Sequence, residues 1–310
     1  MKTRSESGGV SCVSSQRCGK MQETSETVQQ KGLRRMLDDN LLAEFAKTFY
    51  GYGNYNGQYW FVGMEEGGGN SSEEIAARLS VWNNRGRQEL EDVAEFHRKI
   101  SVGKYFESPP ARAELQPTWN KLIRILLSAE GKLLSDKEDE AQTERVREYQ
   151  RTSLGRTQGE SCLIELLPLP SRSTRKKDWK YAKWTTLVQC VYRETYQDYY
   201  IPTRTRHIWE RINQYKPRVV VFYSTSRDYR KWWEQIAGTS FSFDEASKVH
   251  TAHQYGTVFA IVDHPVRRWR NDYFHNAGQC IALERAKHCD EWGLSTEKST
   301  SASFQRVQES

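Results

Sequence analysis

Two adjacent carboxylates, Glu65 and Glu66, stand between a short apolar run and three glycines in YWFVGMEEGGG. The apolar run is typical of a buried strand, and glycine permits left-handed backbone angles and the close approach of a ligand. Because ligands of α/β sheets bind at the carboxyl ends of strands, this turn is a candidate active site. A turn into a capped helix explains residues 70 to 74, but not the glutamate pair. The residues expected to line the site are Gly63, Met64 and Gly67.

Two further apolar runs end in polar residues. The run Cys162 to Glu165 leads into a proline-rich turn, and His264 and Pro265 follow the run from Gly256 to Val262. Parallel strands bring their carboxyl ends to one edge of a sheet. We therefore expect Glu65, Glu165 and His264 to converge on one cleft.

Four short buried strands are expected at residues 59–63, 161–167, 218–223 and 256–262. Helical patterns separate them, among them residues 73–100, which are largely helical in pattern, and residues 180–196. Together they predict an α/β protein, a three-layer α/β/α fold with a mostly parallel four-stranded sheet. Residues 1 to 35 and 291 to 310 are polar and lack apolar periodicity, which predicts a disordered basic tail and a second disordered tail. Residues 36 to 290 are expected to form one domain.

Composition narrows the class of protein. The chain has 310 residues and a net charge of +6, and its mean hydropathy is −0.83. We predict no membrane span and no signal peptide, hence a soluble, monomeric intracellular protein, cytoplasmic or nuclear. The six cysteines include no CxxC pair, so we expect free thiols and no metal or other cofactor.

A basic and aromatic segment, RSTRKKDWKYAKW at residues 172 to 184, follows the strand that carries Glu165. Cations neutralise phosphates and aromatic rings can stack on bases. A solvated loop whose aromatic residues pack inward is the open alternative. A second basic cluster surrounds Trp269, a candidate wedge between bases. The predicted nucleic-acid-binding residues are Arg172, Arg175, Lys176, Lys177, Arg267, Arg268, Trp269 and Arg270.

The order of these strand ends resembles the uracil-DNA glycosylase superfamily, over about residues 36 to 290. That family has a Gly-x-Asp/Glu-type turn after its first strand, a base-reading residue on a later strand, and a His-Pro-Ser loop after its last strand. The resemblance implies that Glu65 orients the attacking water, with Glu66 as a second candidate. It also implies that Glu165 reads the base and that His264 stabilises the departing base.

The sequence departs from the family pattern in all three motifs. Glu66 stands where the first motif usually has Pro, Glu165 where an Asn pairs with uracil, and Val266 where the last motif has Ser. An ionised carboxylate only accepts hydrogen bonds, so Glu165 suits a base edge richer in donors than that of uracil.

Together these features predict a hydrolase of DNA repair that flips a modified or mispaired base out of the stack and cleaves its N-glycosidic bond. DNA is favoured over RNA. A catalytically inactive nucleic-acid-binding module on the same fold is the alternative, and a hydrolase of small nucleosides is the third reading. His264 as a structural residue, and Glu165 as the buried partner of an arginine, also stay open.

Overall fold

The computed structural model describes residues 36–108, 111–133, 139–224, 226–266 and 270–288, without the side chain of Arg227. Both predicted tails lie outside the described residues. Eight α-helices occur in this part of the chain. They are α1 (Asp39–Thr48), α2 (Ser72–Asn84), α3 (Val93–Lys99), α4 (Pro117–Ala129), α5 (Glu140–Thr152), α6 (Arg193–Tyr215), α7 (Arg227–Ala237) and α8 (Asn271–Lys287).

One mixed sheet of eight strands forms the centre of the fold, in the order β3-β1-β4-β2-β5-β8-β7-β6. The strands are β1 (Gly51–Gly53), β2 (Tyr59–Glu65), β3 (Leu90–Glu91), β4 (Ser161–Leu167), β5 (Val219–Phe222), β6 (Ser242–Asp244), β7 (Val249–Gln254) and β8 (Thr257–Ile261). The four adjacent strands β4, β2, β5 and β8 run parallel. These are the four strands that the sequence predicts, and the α/β class is confirmed.

The predicted sheet of four strands is wrong in size, because four outer strands extend it. β1 and β3 have three and two residues, too few for a hydrophobic period to show. β6 and β7 form an antiparallel pair whose residues are mostly exposed or half-buried, including His250 and His253. Their polar composition hides them from a search for apolar runs.

Helices cover both faces of the sheet. Tyr59 and Trp60 are consecutive in β2 and so point to opposite faces. The Tyr59 hydroxyl contacts Glu130 after α4 and Arg285 of α8, whereas the Trp60 ring lies 6.4 Å from the Tyr215 ring of α6. α4 and α8 therefore cover one face and α6 the other. No helix in the described part is long and apolar enough to cross a membrane.

Two helix predictions differ from the structure for local reasons. The helical pattern from Glu73 to Ile100 is interrupted, because Gly86 and Arg87 take positive φ angles of 89° and 56° and end α2. The predicted helix from Lys180 to Tyr196 is replaced by short 3₁₀ turns, at Tyr181–Lys183 and Val188–Cys190. Only from Arg193 does a regular helix run, and it continues past Pro202.

Candidate active site

The carboxyl ends of β2 and β5 lie side by side in the sheet. The connection that follows β2 includes α4, which covers one face of the sheet. The connection that follows β5 is α7, which lies on the opposite face together with α6. Its Trp233 ring stacks 4.9 Å from the Phe222 ring of β5. In α/β sheets a ligand crevice forms where neighbouring connections diverge in this way. Three glutamates stand at this edge: Glu65, Glu66 and Glu165.

Glu165 is packed against Gly63 by the register of β4 and β2. The two residues pair directly, and a Cβ at position 63 would stand 2.3 Å from Glu165 Oε2 and 2.1 Å from the Tyr223 hydroxyl. Tyr223 donates to Glu165 Oε1 at 2.8 Å, whereas Oε2 has no hydrogen-bond partner among the described residues. Burial raises the pKa of Glu165 to about 8, against the Tyr223 hydrogen bond. Burial therefore favours the protonated form of this carboxyl group.

A buried arginine of α6, Arg204, approaches the same strand from the other face. It donates to the backbone carbonyl oxygens of Glu165 and Leu166, both at 2.8 Å. Its guanidinium lies 3.8 Å from the centre of the Tyr50 ring. Arg204 therefore ties β4 to α6 through the backbone, and the hydrogen-bonded partner of the Glu165 carboxyl group is Tyr223.

Glu66 is fixed by three side chains from three elements. Arg78 of α2 donates to Oε1 at 2.8 Å, Tyr52 of β1 donates to Oε2 at 2.9 Å, and His97 Nε2 of α3 lies 3.6 Å from Oε1. Burial raises the pKa of Glu66, but Arg78 and His97 outweigh burial and bring the pKa to about 2. Glu66 is therefore a permanently ionised carboxylate at this edge.

Glu65 forms a buried ion pair with Arg193, the first residue of α6. The distance from Arg193 Nη2 to Glu65 Oε2 is 2.5 Å, and the two side chains are only 1% and 4% exposed. Glu65 Oε1 and Arg193 Nε and Nη1 have no hydrogen-bond partner among the described residues. Burial raises the pKa of Glu65 to about 7, although Arg193 opposes the rise. Glu65 therefore titrates near neutral pH.

His264 lies half-buried after β8, beside the ring of Tyr223. The two ring centres are 6.0 Å apart. The backbone N–H of Val266 donates to His264 Nδ1 at 3.2 Å, which leaves the proton of the neutral imidazole on Nε2. Tyr223 therefore lies between the carboxyl group of Glu165 and a histidine with a donor nitrogen.

The glycines after β2 differ in what they require. Gly68 and Gly69 take positive φ angles of 135° and 65°, and a Cβ on Gly69 would stand 2.2 Å from the carbonyl oxygen of Pro170. Gly67 is exposed, and a Cβ there would meet nothing within 4 Å. Met64 is half-buried against the core. The turn therefore needs glycine at two positions that the site prediction did not include, while Gly67 is sterically unconstrained.

In the basic and aromatic segment the predicted cations are exposed, whereas the rings of Tyr181 and Trp184 are buried. Trp184 and Tyr181 are 5% and 1% exposed, and the Tyr181 hydroxyl donates to the carbonyl oxygen of Pro170 at 2.9 Å. This is the inward-packed arrangement that the sequence left open. Arg270 is exposed and paired with Asp272 at 2.6 Å. The exposed predicted cations of the segment are Arg172, Arg175, Lys176 and Lys177. Arg267, Arg268 and Trp269 lie outside the described residues.

Three residues at this edge were missed by the sequence reasoning. Tyr223 closes the run RVVVFY, and its alignment with Gly63 could be found only from the strand register. Arg78 and Arg193 lie on helices without any local signal, because their partners are distant in sequence. Within the described part of the chain, no group of three or more His, Cys, Asp or Glu is arranged to hold a metal ion.

The carboxyl groups interact with one another. The charges of Glu66 and Glu65 both contribute to the raised pKa of Glu165, and Tyr223 connects Glu165 to the vicinity of His264. A set of neighbouring groups whose pKa values are driven apart can act as acid and base at the same pH.

The chain matches no protein-family model and no curated protein.

Proposed function

We propose that this sheet edge hydrolyses the N-glycosidic bond of a modified or mispaired base in nucleic acid, with DNA favoured over RNA, as an intracellular repair enzyme. One observation supports the proposal most directly. Glu65, Glu66 and Glu165 lie at the carboxyl ends of adjacent strands, and their surroundings move their pKa values apart, to about 2 for Glu66 and about 8 for Glu165. The pKa of Glu65, about 7, lies between those of Glu66 and Glu165.

Cleavage of this bond needs both kinds of group. Positive charge develops on the sugar, as in glycosidases, and a carboxylate stabilises it and orients water. In the proposal Glu65 accepts the proton of the attacking water, and the fixed charge of Glu66 stabilises the sugar. Negative charge develops on the departing base, and donors aimed at it lower the barrier. His264 Nε2 is proposed as that donor.

The protonation of Glu165 changes the expected base. An ionised carboxylate would favour an edge rich in donors, but a protonated one also donates. Because Oε1 accepts from Tyr223, Oε2 would carry the proton as the donor, and Oε1 would keep one lone pair as an acceptor. That combination fits a lactam edge, in which a carbonyl oxygen lies next to an N–H, as in hypoxanthine, xanthine and uracil. Uracil therefore belongs among the candidate bases, and the preference for other bases rests on Glu165 standing where the family has its uracil-pairing Asn.

A catalytically inactive binding module is the second candidate, and the burial of Glu65 favours it. A carboxylate that is 4% exposed and held by Arg193 is poorly placed to orient water unless the pair opens. A binding module would need the same edge for recognition and no turnover. The two candidates differ only in whether the base is released.

The test is base release from oligonucleotides that carry uracil, hypoxanthine or xanthine, single-stranded or in duplex. Wild type is compared with Glu65→Gln and with Glu91→Gln, which alters another buried glutamate that pairs with an arginine, Arg85. Release that Glu65→Gln abolishes and Glu91→Gln retains is the expected result. Salt-sensitive binding without release would establish the binding module instead. If the protein shows no binding and no base release, a nucleic-acid function is rejected.

A further inference from the structure

The inward packing of Tyr181 and Trp184 leaves the basic segment without its predicted stacking rings. Exposed apolar side chains lie instead in the next turn of the chain. Val188 is 79% exposed, Val191 38% and Tyr192 66%. Single exposed apolar residues are common on protein surfaces, but three within five residues beside a basic segment form a distinct patch.

The turn and the basic segment are joined by side-chain contacts. Trp179 donates through Nε1 to the carbonyl oxygen of Cys190 at 2.8 Å, and Lys176 forms an ion pair with Glu194 in the first turn of α6. The exposed cations and the exposed apolar turn therefore belong to one surface. We name it the 172–192 surface; it comprises Arg172, Arg175, Lys176, Lys177, Lys183, Val188, Val191 and Tyr192.

We propose that the 172–192 surface binds single-stranded nucleic acid, with the ring of Tyr192 stacked on an unpaired base and the cations on the flanking phosphates. This proposal rests on the proposed function and names the form of its substrate. Positive grooves with exposed rings are the usual basis of binding to single strands. A duplex hides the faces of its bases, so the exposed ring of Tyr192 has a stacking partner only where bases are unpaired.

The position of the surface connects it to the candidate active site. Tyr192 precedes Arg193, whose guanidinium holds Glu65 at 2.5 Å. The surface therefore ends at the start of α6, the helix that also supplies the partner of Glu65. The charge of the surface agrees with an anionic strand. Three acids contact this stretch of chain: Asp178 and Glu194 pair with Arg175 and Lys176, and Asp39 accepts hydrogen bonds from Thr185 and Thr186.

The experiment measures the fluorescence anisotropy of a labelled oligothymidylate of about 15 nucleotides, a length within the usual range of such sites, and of a duplex of the same length. The variants are Tyr192→Ala, which removes the ring, and Tyr192→Phe, which keeps it. Tyr255→Ala is the matched control, because Tyr255 is similarly exposed, at 67%, and lies in the turn between β7 and β8, outside the 172–192 surface. Circular dichroism checks the fold of each variant.

We expect wild type to bind the single strand more tightly than the duplex. Tyr192→Ala should weaken single-strand binding by about tenfold, the typical effect of one stacked base. Tyr192→Phe and Tyr255→Ala should bind as wild type does. Lys177→Ala should reduce the slope of log affinity against log salt by roughly 0.7, whereas Lys132→Ala, an exposed lysine after α4, should not.

Equal affinity of Tyr192→Ala and wild type would overturn the proposal, as would a preference for duplex. A surface that binds neither oligonucleotide would overturn it as well. These results are separate from those for base release. Base release that persists in Tyr192→Ala with unchanged single-strand affinity rejects this surface and keeps the enzyme. Tyr192-dependent binding without base release keeps the surface and rejects the enzyme.

Discussion

Gly63 and Glu165 are directly paired across β2 and β4, and the carboxyl group of Glu165 occupies the space that a side chain at position 63 would need. The absence of a Cβ also admits the hydroxyl of Tyr223, which donates to the same carboxyl group. A single glycine thus makes room for a carboxyl group between two parallel strands, where burial of that group raises its pKa. The neighbouring ion pairs of Glu65 and Glu66 surround that group with ionised residues.

Substitution of Gly63 should therefore be costly. In Gly63→Ala the new methyl group would overlap Glu165 Oε2 and the Tyr223 hydroxyl, so both side chains must shift and their hydrogen bond is disturbed. Overpacking of this kind costs about 1–3 kcal/mol in the free energy of unfolding. Gly67→Ala is the matched control, since a Cβ there meets nothing within 4 Å. Chemical denaturation of both variants tests this, and equal stabilities would refute the packing argument.

Glu165 should make stability fall as pH rises. Its pKa is 4.5 in an ordinary environment and about 8 in the fold, so between those values the folded state holds a proton that the unfolded chain has lost. The contribution is full below about pH 4.5 and declines as pH rises towards about 8. Glu165→Gln does not titrate. The free energy of unfolding of wild type relative to this variant should therefore decrease across that window, and a constant difference would contradict the shift.

The ion pair of Glu66 and Arg78 should be a strong structural contact. Removal of one partner from a buried pair leaves an uncompensated charge and costs about 3–5 kcal/mol, so Arg78→Met should be severely destabilised. Arg230→Met breaks a more exposed pair with Glu234 on α7 and should cost far less. Thermal or chemical unfolding of both variants measures the contrast. Similar losses would mean that Glu66 does not depend on Arg78.

The low pKa of Glu66 gives the same pair a second test. The folded pKa is about 2, below the ordinary value of 4.5, so its contribution is present above about pH 4.5 and is lost as pH falls towards 2. Glu66→Gln should remove that dependence on acid. If the unfolding of Glu66→Gln followed the same acid dependence as wild type, the ionised state of Glu66 would be refuted.

Strands with long apolar runs could be predicted from the sequence, and those without them could not. β2, β4, β5 and β8 are buried on both faces over most of their length, so each contains an apolar run. β7, with the sequence VHTAHQ, pairs with β8 through its backbone and is partly exposed. β7 can be recognised as a strand only from its pairing with β8, because its own residues show no strand pattern.

The candidate site was predictable to a similar extent. Glu65, Glu165 and His264 could be chosen because each follows or ends an apolar run. Their ionisation could not be predicted, since it depends on Arg193 and Tyr223, which lie far away in the chain. The same limit explains the basic segment. Its composition suggested stacking rings, but only the packing of Tyr181 and Trp184 shows that those rings belong to the core.

Base release should follow a bell-shaped dependence on pH if the proposed function is correct. Glu65, with a pKa of about 7, must be ionised to accept a proton, and Glu165, with a pKa of about 8, must stay protonated. The rate should rise through about pH 7 and fall above about pH 8, with apparent pKa values that belong to the coupled groups.

Arg193→Met offers the sharpest form of that prediction. The guanidinium lowers the pKa of Glu65, so its removal should move the acid limb of the profile to higher pH. Arg85→Met, which breaks the buried pair with Glu91 away from this edge, should leave the limb in place. Glu165→Gln should lose the alkaline limb, because an amide keeps a donor and does not titrate. An acid limb that stays fixed in Arg193→Met would show that Glu65 is not the base, whatever the overall rate.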